Sequence, residues 1–194
     1  MPPLPIVQAI PARERDEPPV FYYDLGDPIS YLVAEQVSSA LPVVPEWEPV
    51  LSAELSEAVD PDVTQVVRRA RELGLQPVRW PEIWPPDTRD AMLAATFAKR
   101  IGRTVAFSLA AFRQAFAAGR DLSDRDTILI AGAACEIHPA ALLKGMTTRA
   151  VAQALDQATA RARRAGVERI PAIQVFDQVF AGESAITQAI AALG

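Results

Sequence analysis

The chain has 194 residues, half of them apolar and 22% charged, with a formal net charge of -5. That length suits one domain with a substantial core, and the acidic balance argues against nucleic acid or an anionic membrane as the main partner. No apolar run reaches the ~18 residues of a membrane span. A single cysteine, Cys135, and a single histidine, His138, exclude an intramolecular disulfide and offer no metal-ligating set.

Met1–Pro19 reads as a disordered, proline-rich tail carrying the charged run Arg13–Glu17. It lacks the basic start and apolar core of a secretory leader, so a cytoplasmic location is the expectation. Val20–Leu25 is predicted as a strand that runs through a short turn into a helix over Pro28–Ser39. Asp27 stands at that helix's cap and Pro28 at its first position. A shorter strand is expected within Leu41–Val50, where Pro42 and Pro45 suit an edge.

Asp60-Pro61 repeats the cap-and-proline device before a helix with Val63, Val66, Val67, Ala70 and Leu73 on one face and Gly74 as its stop. A loop dense in tryptophan and proline, Gln76–Pro86, follows. The spacing from about Asp87 to Leu143 predicts helices throughout. Leu93, Phe97 and Ile101 form one stripe, and Val105, Leu109, Phe112 and Phe116 another, closing at Gly119. Ser123 and Asp126 resemble a capping box, and His138-Pro139 reads as a helix start. A long amphipathic helix is expected over Thr148–Ala165, with Gly166 ending it. Strands over Ile170–Phe176 and Val179–Phe180, joined by an Asp177-Gln178 turn, precede a last helix over Ser184–Leu193.

A parallel strand–helix–strand opening and a hairpin-plus-helix finish give an α/β chain with a thioredoxin-like fold. An all-helical insertion at about 85–145 separates the βαβ and ββα halves. The domain would run over 20–194.

Three stretches carry a family likeness: Asp27-Pro28-Ile29-Ser30-Tyr31-Leu32 after the first strand, Phe112–Ser123 in the helical region, and Gly166-Val167-Glu168-Arg169-Ile170-Pro171 near the end. In this order they resemble the DsbA-like thioredoxin-fold proteins, within them the 2-hydroxychromene-2-carboxylate isomerase and kappa-class glutathione transferase branch. The likeness covers roughly Val20 to Leu193. It implies that Pro171 is cis and that Ile170 offers its backbone N–H and C=O to an extended, peptide-like ligand. It further implies glutathione or another low-molecular-weight thiol as cofactor and a small apolar or aromatic substrate.

The chain departs from the branch in two places. Asp27 stands where the branch has its catalytic serine and the disulfide oxidoreductases have a cysteine. Gly182-Glu183-Ser184 replaces Gly-x-Asp at the head of the last helix, where an acidic residue helps hold glutathione.

Disulfide exchange needs an attacking thiolate and a resolving sulfur. Asp27 and Ser30 supply neither, so the chain is not expected to be a dithiol oxidoreductase. A carboxylate about 4 Å from a glutathione thiolate would repel it by about 1 kcal/mol in water and about 4 kcal/mol at an effective dielectric of 20. Asp27 is therefore either a helix cap alone or a general base with a raised pKa.

Ser30 and Tyr23 are the auxiliary polar groups beside it. Pro28, Ile170, Pro171, Glu183 and Ser184 are the residues expected to hold the thiol. His138 reads as a cap, and Trp80–Pro86 either walls an apolar pocket or seals the core. An isomerase-like or transferase-like enzyme is one reading. A binding or scaffold module that keeps the fold without thiol chemistry is the alternative, and a homo-oligomer meeting through the insertion or tail is a third.

Overall fold

A computed structural model describes residues 17–55 and 60–194. Most of the sequence reading of a disordered tail falls on residues 1–16, outside that range. Four strands form one sheet: β1 (Val20–Tyr23), β2 (Glu46–Pro49), β3 (Ala172–Val175) and β4 (Gln178–Ala181), in the order β2-β1-β3-β4. β1 runs parallel to β2 and antiparallel to β3, and β3 antiparallel to β4. α1 (Pro28–Ala40) makes the crossover between β1 and β2, as a parallel pair requires.

After β2 come α2 (Val63–Glu72), then α3 (Arg89–Arg100), α4 (Thr104–Phe116), α5 (Arg125–Ala134) and α6 (Pro139–Met146). α7 (Arg149–Arg164) leads back to β3, and α8 (Ala185–Leu193) closes the chain. This is a thioredoxin fold interrupted by helices between its two halves.

Strand alternation divides the core. Phe21, Tyr23, Ile173 and Val175 face α1, α8 and the inserted helices, whereas Tyr22 and Ala172 pack with Ala158, Ala162 and Val167 around α7. Phe21, Tyr23 and Trp47 form a ring cluster with centroids 5.0 to 5.5 Å apart. Burying each such ring contributes about 2 to 3 kcal/mol. The edge strand β2 carries charge: Lys99 of α3 pairs with Glu46 at 2.7 Å and Glu48 at 2.9 Å, and Arg161 of α7 with Glu48 at 3.1 Å. Such charges discourage pairing with another strand edge.

Several local readings need correction. The cap of α2 is Asp62, which accepts from the Gln65 N–H at 3.1 Å, and not Asp60. α5 is capped by Asp124, while Ser123 donates to Asp121, so the Ser123–Asp126 box does not form. In α3 the buried residues are Ala91, Met92, Ala94, Ala95, Thr96 and Ala98. Ile101 is 47% exposed, and Leu93 and Phe97 lie at the margin of that face. In α4 Phe112 and Phe116 are buried as expected, but Val105 is 37% exposed. The hairpin turn is Phe176-Asp177, one residue early, because Val175 pairs with Gln178 and Phe176 takes a φ of 56°.

Candidate functional site

Tyr22 of β1 lies opposite Ala172 of β3 in the antiparallel ladder. The chain therefore leaves β1 toward Asp27 at the same end of the sheet where it enters β3 from Pro171. The two sequence-predicted halves of the site share this end.

Asp27 caps α1. Its carboxylate accepts the Ser30 N–H at 2.5 Å, while its own N–H donates to the Asp24 carbonyl at 3.1 Å. Pro28 is buried at the first helical position, where a missing N–H costs nothing. Burial raises the Asp27 carboxyl from 3.8 to about 6. The Ser30 hydroxyl and N–H and the Ile29 N–H hold it down, and the Asp24 charge adds to the rise. Asp27 itself is only partly covered, so the rise reflects apolar surroundings more than complete enclosure. Ser30 is fully buried, and among the described residues its Oγ has no partner of hydrogen-bond geometry, although it lies close enough to stabilise the Asp27 anion.

Tyr23 points elsewhere. Its hydroxyl pairs with Ser108 at 2.6 Å and Thr104 at 3.4 Å on α4, and burial pushes its pKa up to about 12. Its phenol is committed to fastening β1 to the inserted helices. Tyr22 instead donates to Gln174 Oε1 at 2.8 Å.

The Ile170–Pro171 peptide bond is cis, as is Trp84–Pro85. Pro171 is buried and its carbonyl accepts the Gly182 N–H at 2.8 Å. Ile170 is half-buried against the α7 cluster, and among the described residues its N–H and C=O take no hydrogen bond. Gly182 links this loop to the next two candidates. Glu183 accepts from Gln65 Nε2 of α2 at 3.1 Å, and Ser184 is exposed at the head of α8 without capping it.

Sequence reasoning missed Asp24. It is 3% exposed and its carboxylate collects four donors: Gly26 N–H at 3.0 Å, Ser52 N–H at 3.0 Å, Ser52 Oγ at 2.9 Å and Thr88 Oγ1 at 2.9 Å. The available signal was an acidic residue directly after a wholly apolar strand with glycine two positions on. Its partners at 52 and 88 leave no mark in the sequence.

Cys135 ends α5, 5% exposed, and its thiol donates to the Ala131 and Gly132 carbonyls. Burial raises its pKa, which suppresses the thiolate. As the chain's sole cysteine it has no resolving partner. His138 caps α6, accepting the Ala140 N–H at 3.2 Å. No helix among the described residues is long and apolar enough to cross a membrane.

Chemically, the α1 end offers a proton acceptor with a near-neutral pKa, a buried hydroxyl in need of a partner, and an open backbone position at Ile170. Asp27 already holds the Ser30 N–H and adds negative charge, so this helix end receives a second anion poorly.

A model of the DSBA-like thioredoxin domain matches residues 20–194. Among solved structures the chain is similar to 2-hydroxychromene-2-carboxylate isomerase, with a TM-score of 0.80 and 16% identity over 92% of this chain and 95% of that one. It is also similar to a probable DsbA oxidoreductase from Streptomyces coelicolor, with a TM-score of 0.72 and 17% identity over 90% and 87%. No curated protein matches it by sequence.

Proposed function

The chain belongs to the DSBA-like thioredoxin domain family, and from that premise we propose that it is a small-molecule enzyme of the isomerase type. In this reading Asp27 moves a proton on an apolar or aromatic substrate at the end of α1. The observation that carries it is the Asp27 carboxyl, held between helix cap and apolar surroundings with a pKa raised to about 6. A general base works best when its pKa lies near the operating pH. Ser30 supports the reading as a buried hydroxyl beside Asp27, placed to steady its anion.

Glutathione or another low-molecular-weight thiol is the proposed co-ligand. Ile170 would hold its peptide-like portion through backbone N–H and C=O, with Glu183 and Ser184 beyond Pro171 meeting its polar end. Such a thiol would supply a nucleophilic sulfur when bound. Tyr23, whose hydroxyl is spent on α4, stands outside this set.

Calorimetric titration with glutathione, combined with an isomerisation assay on 2-hydroxychromene-2-carboxylate, tests the reading. Binding at millimolar thiol and loss of turnover in Asp27→Asn are the expected results. No glutathione binding would remove the thiol, and turnover unchanged in Asp27→Asn would remove Asp27 as base.

The alternative is a binding module without catalysis, and one observation favours it. Asp27 satisfies the very N–H that an activated sulfur would use. Here Asp27→Ser discriminates: a gain of thiol-dependent turnover marks a former enzyme site.

A further inference from the structure

We propose that Asp24 is the positioning residue of this site: from behind the turn, its carboxylate latches the Arg79–Thr88 loop against the end of α1 and so builds the apolar wall beside Asp27. The inference rests on the reading of Asp27 as the site's working group, and it assigns the wall that selects a flat, apolar substrate.

Three independent observations meet at this latch. First, Asp24 is a buried carboxylate with no cation among its partners in the described residues, and such a group persists only when its lone pairs are satisfied. Its four donors come from the turn itself, from Ser52 just after β2, and from Thr88 just before α3. Second, Thr88 occupies the N-cap position of α3 yet gives that helix no side-chain cap. Its hydroxyl goes to Asp24 instead, forgoing the cap that a threonine at this position can supply. Third, the loop and the turn are in contact. A Cβ placed on Gly26 would lie 2.6 Å from Thr88 Cγ2 and 3.2 Å from Pro86 Cγ. Glycine there admits the loop.

The other end of the loop is equally fixed. The Arg79 N–H donates to the Phe116 carbonyl at 2.8 Å. Trp84 packs on Trp80 at 4.6 Å, Trp80 on Phe116 at 6.2 Å, and Phe116 on Tyr31 of α1 at 5.5 Å. An aromatic seam thus runs from α1 out into the loop, where Trp84 remains half-buried and Ile83 is 61% exposed. In the proposal this seam, held to the turn through Pro86 and Thr88, is the wall a flat apolar molecule would meet on reaching Asp27.

Hydrogen exchange read by mass spectrometry, with carbon NMR titration of the Asp27 carboxyl, tests the latch without any substrate. Thr88→Val keeps the shape and removes the hydroxyl. It should speed exchange across residues 79–92 by about tenfold, leave α1 and α4 protected, and lower the Asp27 midpoint as water enters. Thr88→Ser should behave as the unaltered protein. Gly26→Ala should open the loop in the same way, and adding Thr88→Ser, which lacks the offending methyl, should close it again. Asp24→Asn should open it too, and if that variant fails to fold, Thr88→Val still decides. Exchange and Asp27 titration unmoved by both Thr88→Val and Gly26→Ala would overturn the proposal. A latched loop in a protein whose turnover survives Asp27→Asn would sink only the reading of Asp27 as base.

Discussion

Asp27 and Ser30 are joined by a 2.5 Å hydrogen bond from the Ser30 N–H to the Asp27 carboxylate, and burial makes this cap work against its own charge. Below about pH 3.8 the carboxyl is protonated in both the folded and unfolded chain. Between 3.8 and about 6 the folded protein keeps a proton that the unfolded chain has lost, so stability falls as pH rises; above about 6 the whole penalty is present. A change of that size corresponds to about 3 kcal/mol as a ceiling. Asparagine keeps an oxygen at the cap and carries no charge. Asp27→Asn should therefore raise the unfolding free energy at pH 8 by about 1 to 2 kcal/mol and leave it nearly unchanged at pH 4. Urea titrations at the two pH values check this, and a variant destabilised at pH 8 but not at pH 4 would mean that the anion is a net asset to the fold.

Cys135 gives the second prediction. A buried thiol with a raised pKa, bonded to two carbonyls of its own helix, reacts slowly. The native protein should leave it untouched by a disulfide reagent at pH 7 and expose it fully in denaturant. Cys135→Ala should cost about 1 kcal/mol or less. Insulin reduction should stay at background in both forms. Rapid native labelling would place the sulfur at the surface and reopen thiol chemistry away from α1.

The third prediction concerns Glu35 of α1 and Arg113 of α4, paired through two bonds of 2.7 Å each. The Glu35 side chain is 9% exposed and that of Arg113 54%, so the two partners are unequally desolvated. Removing the arginine strands a nearly buried carboxylate, whereas removing both leaves nothing unpaired. Arg113→Ala should destabilise by about 1 to 2 kcal/mol and Arg113→Lys by nearly as much, since lysine cannot reproduce the fork. Adding Glu35→Gln to Arg113→Ala should recover part of the loss. Thermal melts of Arg113→Ala, Glu35→Gln and the double variant beside the unaltered protein test the coupling, and strict additivity would show the pair to be independent.

How much of this was legible depended on the range of the interaction. Caps and stops are local, so Asp27-Pro28, His138-Pro139 and the glycines at 74, 119 and 166, all with positive φ, could be read directly. The Asp60 and Ser123 readings slipped because several acidic or hydroxyl residues competed for one cap within a few positions. Placing Asp27 and Pro171 at one end of the sheet needed only the order of elements. The Asp24 latch was out of reach, since its donors come from three segments that only folding brings together. Tyr23 misled for a related reason: a tyrosine beside the turn says nothing about which face of the strand its hydroxyl takes.

The face of α3 shows the same lesson in packing, and yields the last prediction. A search for large apolar side chains selects Leu93, Phe97 and Ile101, but the helix turns inward a face made mostly of alanines, with Met92 and Thr96 among them. Gly145 of α6 lies close against α3: a Cβ there would fall 2.3 Å from the Phe97 ring. In an unconstrained helix Gly→Ala stabilises by about 1 kcal/mol. Here the sign should reverse, with Gly145→Ala costing about 1 to 3 kcal/mol through overpacking. Phe97→Leu should cost stability alone yet partly rescue Gly145→Ala by vacating the ring's place. Denaturant midpoints of the two single variants and the double variant test this, and a stabilised Gly145→Ala would show that α3 and α6 can separate at little cost.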